Sequence, residues 1–208
     1  MTDLVLYTNP QSRGRIAHWM LEELGIPYET VWLEYGPRMK SGDYLAINPM
    51  GKVPAIKHGE VIVTETPAIC AYLADVFPEK NLAPAPASPA RASYYRWMFF
   101  AAGPLEMAST CRAFNWQVPE GRSSTVGFGC YADTMNALEK AVEAGPYICG
   151  DQFTAADVYF GSSVGWGMMF GSIEKRPALE AYFHRLSARP SFQSVHRINE
   201  EHMKADSA

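Results

Sequence analysis

The sequence predicts an α/β domain over residues 1–81, a linker over 82–89 and an all-α domain over 90–208. Three observations carry this. The first 81 residues alternate short β-rich apolar runs with helical patterns. Leu82-Ala83-Pro84-Ala85-Pro86-Ala87-Ser88-Pro89 places three prolines in eight residues, which fixes φ, removes backbone donors and stiffens the segment. Beyond it strand signals are few, and apolar residues recur at helical spacing. A chain of 208 residues buries a sufficient core without disulfide or metal.

Asp3 to Tyr7 is an apolar run that reads as a buried strand. After the polar loop Thr8-Asn9-Pro10-Gln11, Ser12 can cap a helix. Its Ile16, Trp19, Met20 and Leu24 share one face, and Gly25 with Pro27 ends it. Tyr28 to Leu33 is β-rich. Gly36, Pro37 and Gly42 mark a loop with a short helix. Val53 to Lys57 and Val61 to Val63 read as strands joined by a turn at His58-Gly59. Thr66 is expected at the N-cap and Pro67 at N1 of a helix with a buried stripe of Ile69, Tyr72, Leu73 and Val76.

In the second half, helical patterns run from Pro89 to Asn115 and from Ser123 to Ala144, the latter with Tyr131, Met135, Leu138 and Val142 on one stripe. Thr154-Ala155-Ala156-Asp157 reads as a capping box with Asp in place of the usual Glu. Leu179, Tyr182, Phe183 and Leu186 mark another amphipathic helix, and Pro190 opens a last short one.

Composition removes several function classes. Hydrophobic residues at 48% and charged residues at 19% exclude a disordered chain. Acids outnumber bases 22 to 18, so nothing offsets nucleic-acid phosphate. No apolar run approaches the ~20 residues that span a bilayer. The N-terminus lacks a signal-peptide pattern, which makes a cytoplasmic protein with reduced thiols the expectation. Cys70, Cys111, Cys130 and Cys149 form no CxxC pair, and the five histidines show no ligand spacing. No metal is expected, and a solvated or capping role is the default for each histidine.

Three segments have chemical potential. A Val53-Pro54 bond at a strand start suits the cis form, and the proline leaves the Val53 backbone open to an extended peptide. Lys52 can meet a carboxylate there, or serve as a solvated turn residue. Glu65-Thr66 lies where a strand meets a helix N-terminus. Free N–H groups and the Thr66 hydroxyl suit a carboxylate, and Glu65 suits an ammonium. Read alone, the pair is better taken as an ordinary Thr cap beside a surface acid. Ser12 puts a hydroxyl at a helix start, where thiol pKa values fall. Tyr7 and Asn9 are the alternatives beside it.

Taken together, Leu6-Tyr7, Arg15, the run Leu21 to Glu29, Asn48-Pro49-Met50-Gly51-Lys52-Val53-Pro54, Glu65-Thr66-Pro67-Ala68-Ile69 and Phe153-Thr154-Ala155-Ala156-Asp157-Val158 resemble the cytosolic glutathione transferases over nearly the whole chain. The resemblance implies a thioredoxin-like N-terminal domain joined to an all-helical one. It implies a detoxifying transfer of glutathione, as co-substrate, to a small electrophile, and a homodimer. It puts Val53 on the cysteinyl backbone, Glu65 and Thr66 on the γ-glutamyl end and Lys52 near the glycyl carboxylate. The helical domain would line the electrophile pocket, with Trp97, Phe100, Trp116 and Trp166 as walls or as plain core.

Thr66 stands where the family usually has Ser, and it keeps the hydroxyl. No Cys precedes Cys70, which disfavours a cysteine-type enzyme. Ser12 is the preferred thiol activator. Tyr7 matches the tyrosine classes by position, and Asn9 ranks third. Glutathione-dependent disulfide exchange and a non-catalytic glutathione-binding or assembly module are the rival functions.

Overall fold

The computed structural model describes residues 3–205. The chain forms two compact units: residues up to Lys80 together with those from Ala188 on, and Asn81–Ser187 between them.

The first unit is built on a four-stranded sheet of order β2-β1-β3-β4, with β1 Leu4–Thr8, β2 Glu29–Trp32, β3 Ala55–His58 and β4 Val61–Thr64. β1 runs parallel to β2 and antiparallel to β3, so Tyr7 lies opposite both Val31 and Ala55. Successive side chains alternate in face. Leu4, Leu6 and Thr8 are buried on one face. Tyr7 and Val31 point the other way, into a cluster with Leu33, Met39, Tyr44 and Val53. The short α2, Gly42–Leu45, supplies Tyr44 to that cluster.

Helix α1, Gly14–Leu24, buries Ile16, Trp19, Met20 and Leu24 as its spacing predicts, and Gly25 in the left-handed region closes it. Helix α3, Thr66–Val76, departs from expectation. Its N-cap is Glu65, and Pro67 is therefore second in the helix. The buried stripe is Ile69, Cys70, Leu73 and Ala74, while Val76 is exposed. Residue 65, directly after β4, has a positive φ, and the cap falls one residue earlier than Thr propensity suggests.

The last helix, α9, is also corrected. Pro190–Ala205 is a 16-residue helix, not a short one, and it belongs to the first unit. It packs on α1. Arg189 forks onto Glu23 through two 2.7 Å bonds, Ser194 donates to Glu22 at 2.7 Å, and Phe192 meets Trp19 edge to face. Periodicity marks an amphipathic helix but does not say which neighbour buries its stripe. Asn199 Nδ2 donates to His18 Nδ1 at 3.1 Å. His18 is thus a buried core histidine rather than a solvated or capping one. Desolvation pushes its pKa down to about 4, so it is neutral at pH 7.

In the second unit, α4 Ala90–Phe100 and α5 Glu106–Phe114 are joined by a π-helical stretch, Ala101–Leu105, that absorbs Pro104. α6, Tyr131–Glu143, starts later than its sequence pattern, capped at Cys130; Ser123–Thr125 is only a 3₁₀ turn. α7 is Ala155–Phe170 and α8 is Pro177–Ser187. The capping box forms as predicted. Asp157 Oδ2 accepts from Thr154 N at 2.9 Å, and Oδ1 accepts from Ile148 N at 2.8 Å and Tyr182 OH at 2.9 Å. Burial pushes the Asp157 carboxyl up to about 6, against the pull of these bonds. Among the aromatics read as walls or core, Trp97 is buried, Phe100 and Trp166 are half-buried, and Trp116 is exposed.

Candidate functional site

The turn before β3 is held from below. Tyr44 OH and Asn48 Nδ2 each donate to the Lys52 carbonyl at 2.7 Å, and Lys40 Nζ donates to the Met50 carbonyl at 2.8 Å. Burial, then the neighbouring Tyr7, pushes the Tyr44 phenol up to about 12, so it stays a donor at pH 7. These bonds fix the peptide that leads into Val53. The Val53-Pro54 bond is cis. Pro54 has no N–H to continue the β1–β3 ladder, which ends at the Tyr7–Ala55 pair. Among the described residues the Val53 N–H and C=O have no backbone partner. They present an extended edge to a peptide strand. The Lys52 side chain is exposed beside it.

One strand further, the start of α3 is strained. Glu65 has φ 65° and ψ 116°, well outside the ordinary range for a residue with a Cβ. Such a conformation costs ~1–3 kcal/mol and persists where the surroundings impose it. Its carboxylate is exposed and makes no capping bond. Ile69 N donates to the Glu65 carbonyl at 2.9 Å. In the first turn Pro67 has no N–H, and the Thr66 and Ala68 N–H groups have no intrahelical acceptor. Thr66 itself is buried. An acid and an open helix start thus stand side by side, groups of the kind that suit an ammonium and a carboxylate.

The loop between β1 and α1 carries the three thiol-activating candidates. Ser12 is buried; its Oγ donates to the Asn9 carbonyl at 2.7 Å and accepts from Gly14 N at 2.9 Å. Gly14 has no room for a side chain: a Cβ there would lie 2.0 Å from Thr8 Oγ1 and 2.8 Å from Ser12 Oγ. Asn9 is committed to the turn, its Nδ2 donating to the Leu33 carbonyl at 2.8 Å and its Oδ1 accepting from Gln11 N at 2.9 Å. Tyr7 stands tilted against Tyr44, ring centroids 5.9 Å apart, in the cluster that includes Val53. Tyr7 and Val53 are therefore brought together, whereas Ser12 and Thr8 both border Gly14.

Sequence reasoning missed the clamp on Lys52. Asn48 lay within the segment singled out, but nothing marked Tyr44 as its partner. Among the described residues no group of three or more His, Cys, Asp or Glu is placed to hold a metal. Cys70, on α3, is buried, and desolvation holds its thiol up at about 12, which makes it unreactive.

A sheet-based unit with an open extended backbone, an exposed acid beside an open helix start and a hydroxyl at another helix start carries the groups that can meet a short peptide by its main chain and its ends. Comparison with known proteins makes the class definite. The family profile for the glutathione S-transferase N-terminal domain matches residues 13–76, and that for the C-terminal domain matches residues 132–190. Glutathione S-transferase GstA of Escherichia coli O157:H7 is 29% identical over 194 residues, 91% of this chain and 96% of that protein. A glutathione transferase from Methylococcus capsulatus superposes with a TM-score of 0.79 at 28% identity, covering 95% of this chain and 98% of its own. A sphingomonad glutathione S-transferase, solved in complex with glutathione, superposes at 0.75 with 26% identity, covering 94% and 98%. The chain belongs to the glutathione S-transferase family and is a glutathione transferase.

Proposed function

We propose that this chain binds glutathione along the first unit, with the cysteinyl backbone on Val53, the γ-glutamyl ammonium on Glu65, its carboxylate on Thr66 and the start of α3, and the glycyl carboxylate near Lys52. The observation that carries this is Glu65: a strained, exposed acid beside unpaired helix N–H groups. Strain at such a position points to function rather than to stability.

Ser12 is the proposed thiol activator. Its hydroxyl already accepts from Gly14 N–H, which polarises it as a donor. Turning its hydrogen from the Asn9 carbonyl to a thiolate exchanges a neutral acceptor for a charged one, the stronger bond. The Asn9 carbonyl is not orphaned, because Ser12 N still donates to it at 3.1 Å. The helix start adds to the effect. A free thiol ionises near pKa ~8.5, and lowering that by about two units takes roughly 2.7 kcal/mol of preferential thiolate stabilisation. The thiolate then forms a bond to an electrophilic carbon, and the leaving group departs with its electron pair.

A cytoplasmic homodimer completes the reading. Four unpaired cysteines support the reducing compartment. Tyr95 and Phe99, four residues apart on α4 and both exposed, support an apolar contact between copies. Among the described residues no helix is long and apolar enough to cross a membrane.

The test is ultraviolet titration of glutathione thiolate on the purified protein. A bound thiol pKa well below ~8.5, returning toward it in Ser12→Ala, is the expected result. Loss of the shift in Tyr7→Phe or Asn9→Ala, with Ser12→Ala unaffected, would move the role to that residue.

A further inference from the structure

Two of the four cysteines share one cavity of the helical unit. Its volume is about 390 Å³, and every residue lining it lies within 108–131. Cys111 stands in the last turn of α5, and Cys130 is the N-cap of α6. Both line the cavity, and the loop 115–129 runs between them.

The two helix ends meet. Arg112 Cζ lies 5.1 Å from the centre of the Tyr131 ring, so the residues that directly follow the two cysteines pack on one another. Both cysteines are half-buried. Arg112, Trp116, Glu120 and Ser123 on the same lining are exposed, which opens the cavity to small solutes. Cys130 Sγ accepts from Asp133 N at 3.5 Å, a long contact that the sulfur can give up. The remaining cysteines have no such setting, and neither lines this cavity. Burial pushes the Cys70 thiol up to about 12. Burial, then the Asp157 charge, pushes the Cys149 thiol up to about 11.

We propose that Cys111 and Cys130 form a reversible dithiol–disulfide site in the helical unit, oxidised by a small disulfide of the glutathione disulfide type. One cysteine thiolate attacks a sulfur of glutathione disulfide. That S–S bond breaks, and one glutathione leaves as thiolate and takes up the proton the cysteine gave. The second cysteine attacks the protein sulfur of the mixed disulfide, and the other glutathione leaves in the same way. Two protein thiols are oxidised, and one glutathione disulfide is reduced to two glutathiones. The bond requires Cα atoms about 4.4–6.8 Å apart. The cavity gives its walls room to close, and Gly127 and Gly129 let the chain turn just before Cys130. The product staples the end of α5 to the start of α6 and encloses the loop. Lys52, Val53, Glu65, Thr66 and Ser12 all belong to the first unit, so the site stands apart from the residues proposed above for glutathione.

The test incubates the reduced full chain with glutathione disulfide, blocks the remaining thiols by alkylation and digests with trypsin without reduction. Cleavage after Arg96, Arg112, Arg122 and Lys140 puts Cys111 and Cys130 on separate peptides, 97–112 and 123–140. The expected result is a disulfide joining those two peptides, with two of the four free thiols lost and all four restored by dithiothreitol. Cys111→Ser and Cys130→Ser each lose the cross-link and retain one glutathione on the cysteine that is left. A wild type that carries glutathione on both cysteines without a cross-link overturns the proposal, because the two sulfurs then do not meet. Cys111 and Cys130 left unmodified at equilibrium overturn it too, as does a cross-link from either one to Cys70 or Cys149.

Discussion

The starts of α3 and α7 use the same vocabulary to opposite ends. Both place an acid and a threonine at a helix N-terminus. At α7, Thr154 caps, Asp157 caps back, and every oxygen of the buried carboxylate is spent on Ile148, Thr154 or Tyr182. At α3, Glu65 sits at the cap with φ 65°, makes no capping bond and leaves its carboxylate in solvent. The first arrangement is closed and holds the helical unit together. The second is open at a cost in backbone energy, and openness is what a ligand needs. An uncapped, strained helix start beside an exposed acid is therefore a better sign of a binding site than the presence of acid and threonine alone.

Breaking the closed site should have the largest effect. Asp157→Ala strands the Ile148 and Thr154 N–H groups and the Tyr182 hydroxyl in the core, and a loss of about 3–5 kcal/mol is expected. Urea denaturation measures it. The unaltered start of α3 predicts that glutathione affinity, measured on the molecules that remain folded, stays as in the wild type.

The pH dependence sharpens the contrast between the units. Asp157 has its pKa raised from 3.8 to about 6, so its contribution to stability is full below the lower value and is lost as pH rises through the upper one. His18 has its pKa lowered from 6.5 to about 4, so its contribution is full above 6.5 and is lost as pH falls toward 4. The two oppose one another across the same window, each by about 3 kcal/mol. The wild type should therefore vary little between pH 4 and 6.5 on their account. His18→Asn removes one side, so relative to the wild type its stability should decline as pH rises through that window. A parallel pair of pH–stability curves would contradict these assignments.

Relieving the strain at the open site should have the smallest effect and the opposite sign. Glu65→Gly makes φ 65° cheap while adding chain entropy to the unfolded state, for a net gain of about 0.5–1 kcal/mol, together with weaker glutathione binding. Stability rising as affinity falls identifies strain kept for function. A fall in both would make Glu65 an ordinary structural residue.

Much of this was legible in the sequence. The order of strands and helices, the Val53-Pro54 turn and the Thr154–Asp157 box follow from proline chemistry, apolar period and capping preference. What escaped depends on long-range packing. Thr66 is the better capping residue by propensity, yet the cap is Glu65, which follows β4 with a positive φ. His18 reads as a surface residue until α9 brings Asn199 over it. Trp32 and His202 stack from positions too far apart in sequence for any local pattern to join. Ser12 was legible as a hydroxyl at a helix start, but its bond to the Asn9 carbonyl, which it must release to serve a thiolate, was not.

The central claim is that Glu65 holds the ammonium of a peptide whose carboxylate rests on the start of α3. Titration calorimetry of glutathione and of its analogue lacking the α-amino group, on the wild type and Glu65→Gln, isolates that contact as a double cycle. The account predicts that Glu65→Gln weakens glutathione about tenfold and leaves the deaminated analogue unchanged, the size of a charge-assisted hydrogen bond. Equal weakening of both ligands would contradict it, since Glu65 would then act on the shape of the site and not on the ammonium.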